Sequence, residues 1–167
     1  MSRGFVKEGD QEEVPMVPRR AFLPEGVPNF VTPAGLEQLL AEREALISEK
    51  EELTIANENE KRIAQNLINA KLQLLNSRIA DARVVDPKDQ PRDEVTFGAT
   101  ITIKNVMSAK TQTFQIVGVD EADIAKGKIS FISPLARALL NRKSGQRITI
   151  RREREEIVYE IMEISSK

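Results

Sequence analysis

The feature that most constrains the fold of this chain is a change in hydrophobic period between its two halves. In the first half, apolar residues recur at helical spacing. From Val95 to Ile103 they alternate with polar residues or glycine, which is typical of a half-buried strand. Residues 86–94 lie between the two patterns and contain Pro87 and Pro91, so we interpret them as a linker. This order predicts an α+β protein with a helical N-terminal part and a small C-terminal sheet domain.

Two helices are predicted within residues 31–85. Thr32-Pro33 is a start signal, because a hydroxyl at the N-cap and a proline at the first helical position both favour initiation. The first helix is expected to extend to about Asn57, and the second runs from about Glu60 to Ala82. The polar stretch 56–59 is the predicted turn, since asparagine disfavours a helix interior.

Each predicted helix carries an apolar stripe, and folding one helix back on the other buries both stripes. The stripe of the first helix contains three leucines at heptad spacing, and the second has a 4-3-4 pattern; these residues are Leu39, Leu46 and Leu53, and Ile68, Leu72, Leu75 and Ile79. The interpretation is an antiparallel coiled-coil hairpin. One uninterrupted helix over residues 33–82 is the alternative.

The C-terminal half is predicted to be a small antiparallel sheet with one short helix. Ser133-Pro134 repeats the helix start signal and predicts a helix from Pro134 to Leu140. The alternating segments predict five strands, at residues 95–103, 113–119, 128–132, 146–150 and 156–161.

Residues 1–30 are predicted to be a flexible tail. They contain four prolines and three glycines among scattered charges, so no regular element is expected. Alternatively, their apolar residues place parts of the segment against the folded body in extended form.

Composition excludes several classes of function. The chain has no cysteine and no histidine, which excludes disulfides, thiolate or imidazole metal sites and histidine-based catalysis. Its 25 basic and 26 acidic residues give no sign of direct nucleic-acid binding. No apolar run approaches the ~20 residues of a membrane span, and no hydrophobic targeting region begins the chain, so a cytoplasmic protein without membrane contact is expected.

Three strings occur in a fixed order in the C-terminal half: Val95–Thr100 (VTFGAT), Gln115–Asp123 (QIVGVDEAD) and Ser133–Leu140 (SPLARALL). In these strings the chain resembles the GreA/GreB family of transcription elongation factors. The resemblance implies that residues 95–167 form an FKBP-like domain that docks on the core of bacterial RNA polymerase, at the rim of its secondary channel. It also implies that the coiled coil of residues 31–85 enters the channel, and that nascent RNA and DNA are met only within the polymerase complex.

The resemblance implies a set of polymerase-binding residues. Two groups carry it, a loop of carboxylates and the start of the short helix: Asp120, Glu121, Asp123, Ile129, Ser133, Pro134 and Arg137. The alternative is structural, with Ile129 in the core and Ser133 acting only as a helix cap.

Family members carry acidic residues at the tip of the coiled coil, where they help hold a Mg²⁺ ion in the polymerase active site. The family's Gly-Asp-Leu-x-Glu-Asn-Ala run is missing here, and the hairpin is shorter by about two turns per arm. Glu58 and Glu60 are the candidate tip carboxylates, with solvated turn charges as the alternative.

The hypothesis is therefore a monomeric factor that regulates elongation, with no catalytic residues, metal site or cofactor of its own. The one metal that it would help to bind is the Mg²⁺ ion of the polymerase active site, which it would share with the polymerase. A short-coil regulator such as Rnk, without stimulation of transcript cleavage, is favoured slightly over a cleavage-competent factor. An FKBP-like prolyl isomerase and a coiled-coil scaffold are remote alternatives.

Overall fold

The computed structural model describes residues 16–166, which divide into two compact units. The helical unit contains Gln38–Asp81 and the described chain as far as Phe22. The sheet unit contains Leu23–Glu37 and the chain from Ala82 onwards. The first half of the predicted tail, residues 1–15, lies outside the described residues.

Two consecutive helices, α1 (Pro33–Glu51) and α2 (Glu58–Asp81), form the predicted hairpin. Leu39 of the first stripe and Ile68 and Leu75 of the second stripe are almost completely buried. The hairpin is therefore confirmed, and the alternative of one uninterrupted helix is wrong.

The first helix ends at Glu51, six residues before the predicted end near Asn57. The β-branched pair Thr54-Ile55 lowers helix propensity in this loop. Asn57 then caps the second helix, since its Oδ1 accepts hydrogen bonds from the backbone N–H of Asn59 at 2.9 Å and of Glu60 at 3.0 Å. A helix of 19 residues is about 28 Å long, whereas a helix that extended to Asn57, with ~25 residues, would have been about 38 Å long.

Five strands form the sheet of the sheet unit: β3 Thr100–Asn105, β4 Thr111–Val117, β5 Lys128–Ser130, β6 Arg147–Arg152 and β7 Glu155–Ser165. They pair in the order β5-β4-β3-β7-β6. The α+β class is confirmed, but the sheet is mixed and not wholly antiparallel, because β4 and β5 are parallel. Parallel neighbours need a crossover connection, and residues 118–127 provide one that includes a 3₁₀ turn at Ile124–Lys126.

The strand predicted from residue 95 begins only at Thr100. Gly98 has a φ of +88°, a backbone conformation that ends any extended run, and a Cβ at this position would lie 2.8 Å from Pro87 Cγ. Val95 and Ala99 are nevertheless buried in the core. The alternating pattern therefore predicts correctly which residues are buried. The backbone of residues 95–99, however, is a tight loop and not a strand.

A short additional strand, β1 (Asn29–Val31), pairs in parallel with β2 (Ala82–Val84). The prediction that residues 1–30 contain no regular element is thus wrong at Asn29 and Phe30. The ring of Phe30 packs against Phe97 and Phe131, with centroids 5.9 and 5.6 Å away. These contacts with distant residues stabilise β1, although its own sequence does not predict a strand.

The linker also contains regular structure, since Pro87–Asp89 form a 3₁₀ turn that Asp86 caps.

The short helix α3 (Pro134–Leu139) begins where predicted, and Ser133 Oγ accepts from the Ala136 N–H at 3.3 Å. One hydrophobic core lies between α3 and the sheet; its buried members are Val95, Ala99, Ile101, Ile103, Ile116, Ile129, Ala136, Leu139, Ile148 and Ile161.

Candidate functional site

An apolar groove of about 500 Å³ opens on the sheet unit beside α3. Its walls come from β4, the 3₁₀ turn before β5, the start of α3 and the β6–β7 pair. The lining is mostly aliphatic and aromatic, with two arginines and two small polar groups; these residues are Gln112, Phe114, Ile124, Ile129, Ser133, Pro134, Leu135, Ile150, Arg151, Arg152 and Tyr159. A groove with apolar walls and few polar groups is the usual form of a docking site.

The groove brings together three of the predicted polymerase-binding residues, Ile129, Ser133 and Pro134. Ile129 is only 6% exposed, so its side chain contributes to the core and offers the groove little area. Pro134 is exposed at the first position of α3, whereas Ser133 is half-buried and caps that helix. Arg137 is exposed on α3 but does not line the groove.

Ile124 dominates the exposed apolar surface at the groove. Its side chain is 80% exposed, although it lies in a short 3₁₀ turn that Gly127 ends with a φ of +72°. An isoleucine held this far into solvent at the edge of an apolar groove is an expected feature of an interaction surface.

The three carboxylates of the predicted docking loop, Asp120, Glu121 and Asp123, lie in different environments. Glu121 is buried, and the Thr32 hydroxyl donates to its Oε1 at 2.6 Å, while Lys128 Nζ lies 3.5 Å from its Oε2. Its side chain is only 3% exposed and does not reach the surface where a partner would bind. This burial and these contacts favour a structural role for Glu121, and its role in docking stays a prediction.

Thr32 links this carboxylate to the start of α1. Its Oγ1 also accepts from the Gly35 N–H at 2.9 Å, which makes Thr32 the N-cap that its sequence position predicts. A Cβ at Gly35 would lie 2.7 Å from Glu121 Oε1, so any other residue would displace this carboxylate.

Asp120 and Asp123 are half-buried on the same loop. Asp123 precedes the 3₁₀ turn, and its backbone forms a bridge with Lys128 at the start of β5. These two carboxylates do not line the apolar groove.

At the hairpin tip, Glu58 and Glu60 lie in the first turn of α2, and both are exposed. Negative charges in the first turn of a helix interact favourably with its dipole. Residues two apart on a helix point about 200° away from each other, so the two carboxylates do not converge on one point. The tip therefore does not fit a Mg²⁺ ion shared by both side chains.

Several groove residues were not identified from the sequence, namely Phe114, Ile124, Ile150 and Tyr159. Ile124 had the clearest signal, because it is an isolated aliphatic residue directly after an acidic loop. Phe114, Ile150 and Tyr159 lie within strands. Their positions in the sequence do not show whether their side chains line the groove or belong to the core.

Within residues 16–166, no group of three or more acidic side chains is placed to hold a metal ion. In the same range no helix combines the length and apolar content that a membrane span requires.

Comparison with solved structures finds, among others, the following two proteins. The chain is 22% identical to a protein described as "Prokaryotic transcription elongation factor GreA/GreB from Nitrosomonas europaea", covering 81% of this chain and 96% of that one, with a TM-score of 0.42. It is 19% identical to the "GreA factor homolog 1 (Gfh1) protein of Thermus thermophilus", covering 81% and 97%, with a TM-score of 0.39.

Sequence comparison is more specific. A family profile described as "Transcription elongation factor, GreA/GreB, C-term" matches residues 90–166. The chain is 36% identical over 153 residues to "Transcription elongation factor GreA" of Francisella tularensis subsp. novicida, covering 82% of this chain and 96% of that protein. Because this identity extends over nearly the whole relative, the chain belongs to the GreA/GreB family of transcription elongation factors.

Proposed function

We propose that this protein docks on the core of bacterial RNA polymerase through the apolar groove and regulates elongation at the secondary channel. The observation that carries the proposal is the convergence of Ile129, Ser133 and Pro134, which the family resemblance had singled out, on one groove. The exposed Ile124 extends the apolar surface at its edge. Polymerase carries out transcription in the bacterial cytoplasm, so the protein acts there.

The chemistry of the groove fits an apolar anchor from a protein partner. Phe114, Ile150 and Tyr159 supply large apolar surfaces, and Arg152 supplies positive charge at its edge, whereas Arg151 is paired with Glu156 at 2.9 Å. Apolar anchors in pockets, surrounded by polar groups, carry most of the binding energy of typical protein interfaces. The partner surface that fits is an apolar side chain flanked by acidic residues.

The binding test substitutes glutamate for the exposed isoleucine. Ile124→Glu places a charge at the groove edge, and we expect the affinity for core polymerase to fall at least tenfold, which is about 1.4 kcal/mol. Met107→Glu is the matched control, because Met107 is 93% exposed on the β3–β4 turn and does not line the groove. Both variants keep the core intact, so thermal unfolding stays unchanged. Equal affinities for the two variants would overturn docking through the groove.

We further propose that the protein does not stimulate transcript cleavage. A carboxylate supports metal-assisted cleavage only when its oxygen reaches the cation at ~2.0–2.6 Å. Glu58 and Glu60 diverge on the helix, and α1 spans only about 28 Å. The protein therefore regulates by occupying the channel or its rim.

The cleavage test uses stalled, backtracked elongation complexes. We expect no release of 3′ fragments above the rate of polymerase alone, at protein concentrations where binding is complete. A measured affinity in the same buffer separates an inactive bound factor from an unbound one. Fragment release that disappears in Glu58→Ala or Glu60→Ala would reverse this part of the proposal and assign the carboxylate a direct role.

A further inference from the structure

The 3₁₀ turn that carries Ile124 is closed by its own backbone and held by the sheet at its C-terminal end. Asp123 and Lys128 exchange two backbone hydrogen bonds, at 2.8 and 3.0 Å, on either side of the turn. The Gln115 N–H of β4 donates to the Gly127 carbonyl at 2.8 Å. The sheet therefore fixes one end of the turn, and the orientation of Ile124 depends on what holds the other end.

The other end of the turn is reached through residues 118–122, which lie against the segment that begins α1. A Cβ at Gly118 would lie 2.4 Å from the carbonyl oxygen of Phe30, so the chain leaves β4 in direct contact with the backbone of β1. Three residues later, Oε1 of the buried Glu121 accepts from the Thr32 hydroxyl at 2.6 Å. Glu121 therefore anchors the loop to Thr32, three residues before Ile124.

The hydroxyl of Thr32 is the closer of the two donors beside this carboxylate. Lys128 Nζ lies 3.5 Å from Oε2, at the outer limit of a hydrogen bond. The side chain of Glu121 is only 3% exposed, and a buried carboxylate without a donor bears the full cost of desolvation. Without the hydroxyl, the carboxylate is therefore expected to move towards solvent, and the loop that carries Ile124 moves with it.

We propose that Thr32 and Glu121 are positioning residues for docking. The hydroxyl holds the carboxylate, and the carboxylate holds the loop in the orientation that places Ile124 at the edge of the groove. Neither Thr32 nor Glu121 lines the groove, so neither needs to reach the partner. This inference rests on the proposed docking through the groove, and it extends docking to a residue 89 positions away from the loop.

Amide hydrogen exchange in the unbound protein tests the positioning step without polymerase. The N–H groups of Glu121 and Ala122 both donate to the Gly118 carbonyl at 3.2 Å. We expect Thr32→Val to raise their exchange about fivefold through local opening of the loop. The internal reference is the Ala109 N–H of the β3–β4 turn, whose exchange stays unchanged. Equal exchange at Glu121 and Ala122 in the variant and in the unaltered chain would overturn the proposal.

A double-mutant cycle tests the consequence for docking. Affinities for core polymerase are measured for the unaltered chain, Thr32→Val, Ile124→Ala and the double variant, at a temperature where circular dichroism shows each of them folded. We expect Thr32→Val alone to lower the affinity about fivefold, and the double variant to bind as tightly as Ile124→Ala. If the two losses multiply in the double variant, Thr32 acts independently of Ile124 and the proposal is wrong.

Two further variants separate the hydroxyl's role from a general weakening of the sheet unit. Thr32→Ser keeps the hydroxyl, and we expect it to restore both slow exchange and affinity. Thr102→Val is the matched control, because it removes a hydroxyl that lies 3.0 Å from the Thr113 hydroxyl and does not line the groove. We expect it to leave the affinity unchanged. An equal loss of affinity in Thr102→Val and Thr32→Val would overturn positioning by Thr32.

The same variants distinguish a failure of this inference from a failure of the proposed function. If Ile124→Ala weakens binding and Thr32→Val does not, docking through the groove stands and positioning by Thr32 is overturned. If Ile124→Ala leaves the affinity unchanged, docking through the groove is overturned, and the role of Thr32 in docking is overturned with it.

Discussion

At the residue scale, the most informative interaction is the one between Thr32 and Glu121. One hydroxyl accepts from the Gly35 N–H and donates to a buried carboxylate, so it serves a helix cap and a buried charge together. Lys128 is the second group beside this carboxylate, at the longer distance of 3.5 Å. A buried charge that loses a donor is costly, because water does not replace the missing hydrogen bond. The conformation of the loop after β4 therefore depends on a residue 89 positions away.

Replacing Thr32 by valine keeps the shape of the side chain and removes the hydroxyl. The loss of an N-cap costs about 1 kcal/mol, and the loss of a hydrogen bond to a charged group costs about 1.5–3 kcal/mol. We therefore expect the free energy of unfolding of the sheet unit to fall by about 2–4 kcal/mol, measured by urea denaturation.

Thr32→Ser is the matched control, because it retains the hydroxyl, and we expect it to lose less than about 1 kcal/mol. If valine and serine give the same unfolding free energy, the hydroxyl has no energetic role.

At the scale of elements, the loop between the helices decides the length of the arms. Thr54-Ile55 disfavours the helix, and Asn57 starts the next one by capping two backbone N–H groups. The tip is therefore defined by local chemistry, although no proline or glycine marks it.

Asn57→Ala removes this cap. We expect the free energy of the first turn of α2 to rise by about 1 kcal/mol, which increases amide hydrogen exchange at residues 59–62 roughly fivefold. Asn76→Ala is the control, because Asn76 is exposed within α2 and alanine has the higher helix propensity.

The control variant is expected to leave exchange at the tip unchanged. Unchanged exchange in Asn57→Ala as well would show that the loop itself, without the cap, sets the start of α2.

At the scale of the whole molecule, the two units bury very different amounts of apolar surface. Among the described residues, the helical unit buries three hydrophobic side chains, Leu39, Ile68 and Leu75, whereas the sheet unit buries thirteen. Burial of apolar side chains is the main favourable term in folding. The helical unit is therefore expected to be the less stable one.

Two probes separate the unfolding of the units. Far-ultraviolet circular dichroism follows mainly the helices, and the fluorescence of Tyr159, the single tyrosine in a chain without tryptophan, follows the sheet unit. We expect the circular dichroism transition at the lower urea concentration. A difference of ~2 kcal/mol in unfolding free energy corresponds to about 1 M urea at an m value of ~2 kcal/mol/M.

Core variants provide the controls for this measurement. Leu75→Ala lowers the circular dichroism midpoint, and Ile161→Ala lowers the tyrosine midpoint, because each opens a cavity that costs about 2–5 kcal/mol. Coincident transitions in the unaltered protein and in both variants would contradict two separately stable units.

Features of the fold that depend on nearby residues were predictable from the order of amino acids. The helix starts at Pro33 and Pro134 were predictable because a cap bonds to N–H groups two or three positions away. The resemblance of the C-terminal strings identified the family, and the change of period identified the α+β class. Ile129, Ser133 and Pro134 line one groove, and their role in docking stays a prediction.

Features that depend on contacts between distant residues became visible only in the folded chain. Strand β1 exists because β2 and an aromatic pair lie beside it, and β5 is parallel to β4 because a crossover joins them. Glu121 was predicted at a docking surface but is buried, because its donor Thr32 comes from the other end of the chain. The groove has walls from six separate segments, namely β4, the 3₁₀ turn, β5, the start of α3, β6 and β7. No local pattern encodes how such segments meet, since that depends on packing the whole core.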